Sequence, residues 1–236
     1  MKPQLSRLLI FSFLFLSCSQ KDPLRTHTTS MSGVMDHSKL EELKSNQKLR
    51  DSLKRQLDTT YIDDQKYRAQ LEPIRDKYGI DSKELKQLWD LARRTDSINL
   101  VKVMKVLDDF GWLGADVIGE TGNKTLFLVI QHAPPEISEK YLPMMRDAVK
   151  NKRAFASDLA LLEDRTALNN GKNQIYGSQF GYDANTKQYY LFPIADIDNI
   201  DQIRLKIGLD SIKLSLKRWN INWDIEKVRL KAATKK

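Results

Sequence analysis

Polar side chains that could share one chemical task lie in three stretches of this sequence. Gln131 and His132 follow an apolar run. Further along, Asp164 and Arg165 lie in a helical stretch, and the segment QIYGSQ occupies positions 174–179. A carboxylate beside a histidine orients the ring and raises its pKa, which suits the ring to accept a proton. We therefore predict that Asp164 orients His132, the one histidine in the sequence after residue 37.

The same stretches supply the groups that a pocket for a small polar ligand needs. Amide, phenol and guanidinium groups form hydrogen bonds with polar ligands and with partner proteins. Asp64 and Arg68 are one helical turn apart, and they either extend this pocket or close it into a buried ion network with the charges at 164–165. The predicted ligand-binding residues are Asp64, Arg68, Gln131, His132, Asp164, Arg165, Gln174, Tyr176 and Gln179.

Three classes of function fit these residues. The one we favour is non-catalytic binding of a partner or a small polar ligand. The second is a hydrolase in which His132 is the general base and Asp164 orients it. The third is a purely structural protein that acts through a charged N-terminal helix. A zinc site needs three or four ligands, so a lone histidine predicts no metal, and nothing in the sequence predicts a cofactor.

The elements around these residues predict a mainly α fold, a compact helical domain with one β-hairpin. Apolar residues recur at helical spacing along most of the chain, and Ser38 and Asp81 begin capping-box patterns. The run Leu126–Ile130 is apolar all round and leads to Pro134-Pro135, which favours a central buried helix. In the first half of the chain we predict a helix at 38–58, a second that begins at 61 and breaks at 73–79, and a third that begins at 82, restarts after 96 and ends at 111. Further helices are predicted at 126–133, 138–150, 157–168, 200–207 and 210–219. The predicted strands are 174–179 and 188–193.

The first residues predict export and a lipid anchor. Lys2 and Arg7 precede the apolar run Leu8–Leu16, which is shorter than the ~20 residues that cross a bilayer, so it predicts a signal peptide. The following Ser17-Cys18 resembles the lipobox of bacterial lipoproteins, whose cysteine is acylated and becomes the new N-terminus. A plain signal peptide is the alternative. Acylation of Cys18, palmitate included, would anchor the chain to a membrane of the cell envelope, outside the cytoplasm.

These features divide the chain into five segments. They are a signal peptide (1–17), a lipidated tether (18–37), a charged N-terminal helix (38–60), a single helical domain with the hairpin (61–227) and a polar tail (228–236). The formal net charge is +8, but basic and acidic residues are interspersed along the predicted helices, and no basic stripe contains interleaved aromatics. We therefore predict a membrane contact through the lipid and an envelope protein or small polar ligand as partner, and no nucleic acid.

Several motifs resemble one family of bacterial domains of unknown function. They are DQKYR (64–68), FGW (110–112), VIQHA (129–133), YLPMMRDAV (141–149), LALLEDR (159–165) and QIYGSQ (174–179). The resemblance covers roughly residues 61–223, and such domains are common in envelope lipoproteins of Bacteroidota. Relatives carry Asp or Ser where this chain has Pro134, and often Thr where it has Ser178. The resemblance implies a mainly helical fold and a shared pocket, and it carries no known activity over to this chain.

Overall fold

The computed structural model of this chain describes residues 37–183 and 185–221. Eight helices and two strands lie in these residues. In chain order they are α1 (His37–Ser45), α2 (Gln47–Tyr78), α3 (Lys83–Phe110), α4 (Ala115–His132), α5 (Pro135–Lys150), α6 (Ala156–Asn169), β1 (Phe180–Asp183), β2 (Gln188–Leu191), α7 (Ile200–Leu205) and α8 (Ile212–Lys217). The predicted mainly helical fold with one hairpin is confirmed for the described residues. Among these helices, none has the length and apolar character needed to cross a bilayer.

Some predictions concern other parts of the chain. The predicted signal peptide and the predicted acylation site, Cys18, precede the described residues, and the polar tail follows them. The tether also lies outside them, except for its last residue, His37, which begins α1. These assignments, and the division into segments, stay predictions.

The first helix ends earlier than the sequence predicted. Asn46 separates α1 from α2, and its side chain caps α2 by accepting a hydrogen bond of 3.1 Å from a backbone amide of the next turn. From there α2 continues through the predicted boundary at 58–61 and through Pro73. The hydroxyl of Thr60 donates to the Gln56 carbonyl inside the helix, so the threonines at this point do not interrupt it.

The third helix begins one residue later than the capping box at Asp81 predicted, and it continues where a second start was predicted. Ser82 caps it by accepting a hydrogen bond from the Leu85 amide, and Gly111 ends it with a φ of 69°. The predicted second start at Asp96 is wrong, because the Asp96 carboxylate binds an arginine of α2 instead of capping backbone amides. Thus α3 is one helix of 28 residues that packs along α2.

The core lies between α2, α3 and α4 and extends to α5 and α6. Residues 126–131 of α4 are each at most 3% exposed, so the predicted central helix is confirmed. Their apolar side chains pack with those of the other helices, among them Leu57, Val103, Met145 and Leu162. Burial of each such side chain contributes roughly 1.5–3 kcal/mol. This packing fixes the C-terminal end of α4, where His132 lies, against α2 and α3.

The first strand of the hairpin lies later in the chain than predicted. β1 pairs with β2 in antiparallel register, with Phe180 opposite Leu191. The prediction of a strand at 174–179 is wrong, and Gln174 forms an isolated bridge with Ile194. Three amides of this segment bind a carboxylate of α6, so they are not available for a strand ladder. A second apolar cluster joins the hairpin to α7 and α8; its buried residues are Phe180, Ile194, Ile200, Ile212 and Leu216.

The C-terminal part of the fold is attached to α2. The helices α7 and α8 lie within the two helices predicted at 200–207 and 210–219. Arg75 of α2 stacks on the rings of Tyr182 and Tyr189 at 4.6 and 5.3 Å, and it donates a hydrogen bond to the Tyr189 hydroxyl. These contacts hold the hairpin against the C-terminal half of α2.

Candidate functional site

Four charged or ionisable side chains form a buried network where α2, α3 and α4 meet. The Nδ1 atom of His132 lies 3.0 Å from Asp64 Oδ1. Arg68 binds the same carboxylate at 3.2 Å and binds Asp96 through two hydrogen bonds of 2.8 Å. The side chains of Asp64 and Arg68 are 1% and 6% exposed, so protein surrounds the network on most sides. These four residues are called the His132 network below.

The carboxylate of Asp64 is ionised at neutral pH. Burial by itself raises its pKa. In acid, where the His132 ring is protonated, the charge and hydrogen bond of His132, the charge of Arg68 and a hydrogen bond from Gln65 together lower the pKa of Asp64 to about 2. An ionised carboxylate only accepts hydrogen bonds. The proton in the contact between Asp64 and His132 therefore lies on Nδ1 of the ring.

The ring of His132 is neutral at neutral pH. Burial and the charge of Arg68 lower its pKa, and the charge of Asp64 acts in the opposite direction. Because Nδ1 carries the proton, Nε2 carries a lone pair, and within residues 37–183 and 185–221 no polar atom forms a hydrogen bond with it. The side chain is 8% exposed. One ring nitrogen is thus fixed, and the other can accept a hydrogen bond or a proton.

Asp164 has a different role from the one predicted. Its Oδ1 accepts hydrogen bonds from the amides of Ile175 and Tyr176 at 2.6 and 2.9 Å, and its Oδ2 accepts one from the Ser178 amide at 2.9 Å. Burial raises the pKa of Asp164, and the amide donors act against this rise. The prediction that Asp164 orients His132 is therefore wrong, and Asp64 has that position. Asp164 instead fixes residues 174–179, called the Asp164 loop below.

Other predicted polar residues of the Asp164 loop also bind backbone atoms. Gln174 donates to the Gln179 carbonyl at 3.2 Å and accepts from the Gln179 amide at 2.9 Å. Gln179 in turn donates to the Leu161 carbonyl of α6 at 3.3 Å. Gln131 of α4 donates to the same carbonyl at 3.5 Å. These amide side chains join the loop, α6 and the end of α4.

The predicted ligand-binding residues therefore separate into two groups. The first group belongs to the His132 network and comprises Asp64, Arg68 and His132. The second belongs to the Asp164 loop and its support and comprises Asp164, Gln174, Tyr176 and Gln179. Gln131, at the end of α4 beside His132, donates to α6 and so lies between the two groups. Arg165 follows Asp164 on α6, and burial and the charge of Arg68 lower its pKa to about 10. Ligand binding by these residues stays a prediction.

The His132 network has the spacing of a cation site but not its charge. Donor atoms of Asp64, Asp96 and His132 lie within 4.8 Å of one another. The guanidinium of Arg68, however, already binds both carboxylates. A metal ion at this point would have to displace that guanidinium or be repelled by it. The arrangement therefore favours an ion network over a metal centre.

Comparison with known proteins shows the family of this chain. Residues 52–223 match the model of a family of unknown function (DUF6624). The chain belongs to this family. The predicted resemblance to an uncharacterised domain family is thereby confirmed, and the DUF6624 domain contains both the His132 network and the Asp164 loop. No curated protein matches the chain, and no solved structure matches it.

Asp96 and Gln65 contribute to the site of the DUF6624 domain, yet they are missing from the predicted residues. Ala92, Asn99 and Val103 mark the buried face of α3. Asp96 lies four residues after Ala92 and three before Asn99, so it belongs to the same buried face. An acidic residue on an otherwise buried helix face is the sequence signal that could have predicted its role. Gln65 gives no such signal, because it enters the site only as the chain neighbour of Asp64.

Replacing Gly177 in the Asp164 loop by alanine is expected to destabilise the DUF6624 domain by about 2–3 kcal/mol. Its φ is +65°, and an added Cβ would lie 2.8 Å from Ile212 and 3.0 Å from Ile194 in the second apolar cluster. Gly171 is the matched control, because its φ is +68° and no described atom lies within 4 Å of an added Cβ. Urea unfolding should show a loss of only about 1 kcal/mol for Gly171→Ala. Equal losses would mean that the isoleucines move aside freely.

Proposed function

We propose that the chain is an envelope lipoprotein whose DUF6624 domain binds a small polar ligand at the His132 network. The lipid is carried by Cys18, in a leader that precedes the matched residues 52–223. A signal peptide, an acylated cysteine and a folded domain in this order present the domain outside the cytoplasm while the lipid holds it at the membrane. The ligand is then a molecule of the envelope.

The proposal depends on the unequal environments of the two nitrogens of His132. Asp64 fixes Nδ1, and Nε2 has no hydrogen-bond partner among the described residues. The side chain is 8% exposed, so this edge of the ring is within reach of a small molecule. A ligand that donates an O–H or N–H to Nε2 forms a hydrogen bond that no described residue supplies.

The charges around His132 balance, which supports a polar ligand without a large net charge. Arg68 and Arg165 carry one positive charge each, and Asp64 and Asp96 carry one negative charge each. With the ring neutral, these groups sum to zero. A strongly charged ligand would gain little Coulomb energy from such a site, whereas hydroxyl and amide groups can use its hydrogen-bonding atoms.

The same geometry supports a second candidate, a hydrolase with His132 as general base. Asp64 takes the orienting role that the sequence assigned to Asp164. A neutral histidine held by a carboxylate through Nδ1 has its Nε2 placed to accept a proton. Since no side-chain hydroxyl of the described residues is hydrogen-bonded to Nε2, the attacking group in this mechanism is a water molecule.

Calorimetric titration of the chain from Ser19 onward tests the proposal with glucose, N-acetylglucosamine, glycine and inorganic phosphate as probes. His132→Asn is the informative variant, because the asparagine amide can still donate to Asp64 while Nε2 is lost. We expect a neutral probe to bind the unmodified chain, and the variant to bind it about tenfold more weakly, the effect of one lost hydrogen bond. His37→Asn is the control.

Unchanged affinity in His132→Asn would show that the His132 network is not the binding site. The same preparations distinguish the two candidates. Hydrolysis of p-nitrophenyl acetate that disappears in both His132→Asn and Asp64→Asn would favour the hydrolase. Binding without hydrolysis would favour the binding protein.

A further inference from the structure

An exposed apolar surface lies on the outer side of α2 and α3, away from the His132 network. Ile62 is 65% exposed, Ile98 is 59% exposed and Val101 is 70% exposed. The Asn99 side chain lies 3.5 Å from the Thr60 carbonyl and the Lys102 ammonium lies 3.8 Å from Asp63, so these levels of the two helices lie side by side. Exposed aliphatic side chains that are grouped on adjacent helices can form a contact surface. Ile62, Ile98 and Val101 are called the α2–α3 face below.

Basic residues surround the α2–α3 face. Lys66 lies one turn after Ile62 on α2, and Arg94 lies one turn before Ile98 on α3; both are exposed. Neither forms an ion pair with a carboxylate of the described residues. Lys102 and Lys105 are paired with Asp63 at 3.8 Å and Asp109 at 2.8 Å, whereas Asp58, one turn before Ile62 on α2, forms no ion pair with a described residue. Two unpaired basic groups and one unpaired carboxylate thus lie at the edge of an apolar centre, and their charges of +2 and −1 sum to +1.

We propose that the α2–α3 face rests on the surface of an anionic lipid bilayer. An aliphatic centre with Lys and Arg around it is the pattern of segments that bind at the membrane–water interface, where the apolar groups enter the headgroup region and the basic groups attract anionic lipid. The binding hot spots of protein partners are rich in Trp, Tyr and Arg instead, and no aromatic residue belongs to this face.

The position of the lipid anchor agrees with this orientation, and here the inference rests on the lipoprotein proposal. The 19 residue steps from Cys18 to His37 span at most roughly 65 Å. His37 begins α1, which packs on both α2 and α3. The anchored part of the chain therefore joins the domain beside the two helices that carry the face. A bilayer within this reach can contact α2 along its length of about 48 Å.

Vesicle flotation of the chain from Ser19 onward, which lacks the lipid, tests the inference. The vesicles are phosphatidylcholine alone and an equimolar mixture with phosphatidylglycerol. We expect binding to the mixture that weakens as salt is added, because screening reduces attraction between lysine, arginine and anionic lipid. The triple variant Ile62→Ser/Ile98→Ser/Val101→Ser should bind at least about tenfold more weakly.

The control replaces apolar residues that are exposed elsewhere. Leu205 and Leu214, in α7 and α8, are 76% and 49% exposed, and Leu205→Ser/Leu214→Ser should bind vesicles as the unmodified chain does. Lys66→Glu/Arg94→Glu should lose the preference for phosphatidylglycerol. Circular dichroism confirms that each variant is folded.

Three results would overturn the inference. The first is that the unmodified chain does not bind the mixed vesicles. The second is that the triple variant and the leucine control lose vesicle binding equally. The third is that analytical ultracentrifugation shows a dimer of the unmodified chain that the triple variant abolishes. Labelling of the full-length chain with radioactive palmitate, with Cys18→Ser as the blank, tests the anchor independently. Labelling without vesicle binding leaves the lipoprotein proposal standing and rejects the α2–α3 face. Vesicle binding without labelling rejects the anchor and supports the face.

Discussion

Replacement of Asp164 by alanine is expected to lower the free energy of unfolding by about 3–5 kcal/mol, a large part of the stability of a domain of this size. The carboxylate is 0% exposed and accepts three amide hydrogen bonds from the Asp164 loop. Without it those amides lose their acceptor, and each buried donor without a partner costs about 1–3 kcal/mol. Asp164→Asn keeps one acceptor oxygen and should lose less. Urea unfolding followed by circular dichroism measures both.

The control for Asp164 is a carboxylate that is paired at the surface. Asp147 of α5 binds Arg153 at 2.8 Å, and its side chain is 59% exposed. Such pairs contribute less than about 1 kcal/mol, so Asp147→Ala should change stability little. If Asp164→Ala were as stable as Asp147→Ala, the loop would hold its conformation without the carboxylate, and the role given to Asp164 would be wrong.

Replacement of Arg68 by methionine is expected to destabilise the protein by about 3 kcal/mol at neutral pH. Methionine occupies a similar volume but leaves the carboxylates of Asp64 and Asp96 without their shared cation. Arg93→Met is the matched control, because Arg93 pairs with Asp90 at the surface, where the two side chains are 49% and 56% exposed. We expect its effect to be below about 1 kcal/mol in urea unfolding.

The pH dependence of Arg68→Met has a defined sign. In the unmodified protein the pKa of Asp64 is about 2, below the ordinary 3.8, so ionised Asp64 contributes stability above pH 3.8 that is lost as the pH falls toward 2. This contribution is roughly 2 kcal/mol. Without Arg68 the pKa of Asp64 rises, so Asp64 of the variant is protonated at a higher pH than Asp64 of the unmodified protein. The difference in stability between variant and unmodified protein should therefore shrink in acid, and a constant difference would contradict the ion network.

The ring of His132 reports on the same substitution. Burial and the charge of Arg68 lower the pKa of His132, so the folded protein binds this proton less tightly than the unfolded chain does, and the ring costs stability as the pH falls below 6.5. Removing the charge of Arg68 should raise the pKa of His132. Proton NMR of the ring follows this titration directly. An unchanged titration would place Arg68 outside the electrostatic environment of the ring.

Local signals in the sequence predicted much of the fold. The start of α3 to within one residue, its end at Gly111 and the buried run in α4 were all predicted, because each depends on residues within a turn or two. The strand predicted at 174–179 failed for the opposite reason. The β-forming residues there are real, but Asp164 of α6 takes the amides that a strand would need.

The sequence by itself determined that this is a helical chain with a hairpin, that its family is one of unknown function, and that His132 is the imidazole of any site in the domain. It did not determine which carboxylate binds that ring. Asp64 is 68 positions from His132, and only the packing of α2 against α4 brings them to 3.0 Å. Sequence spacing determines which side chains are neighbours within one helix. Contacts between side chains of different helices depend instead on which apolar helix faces pack together.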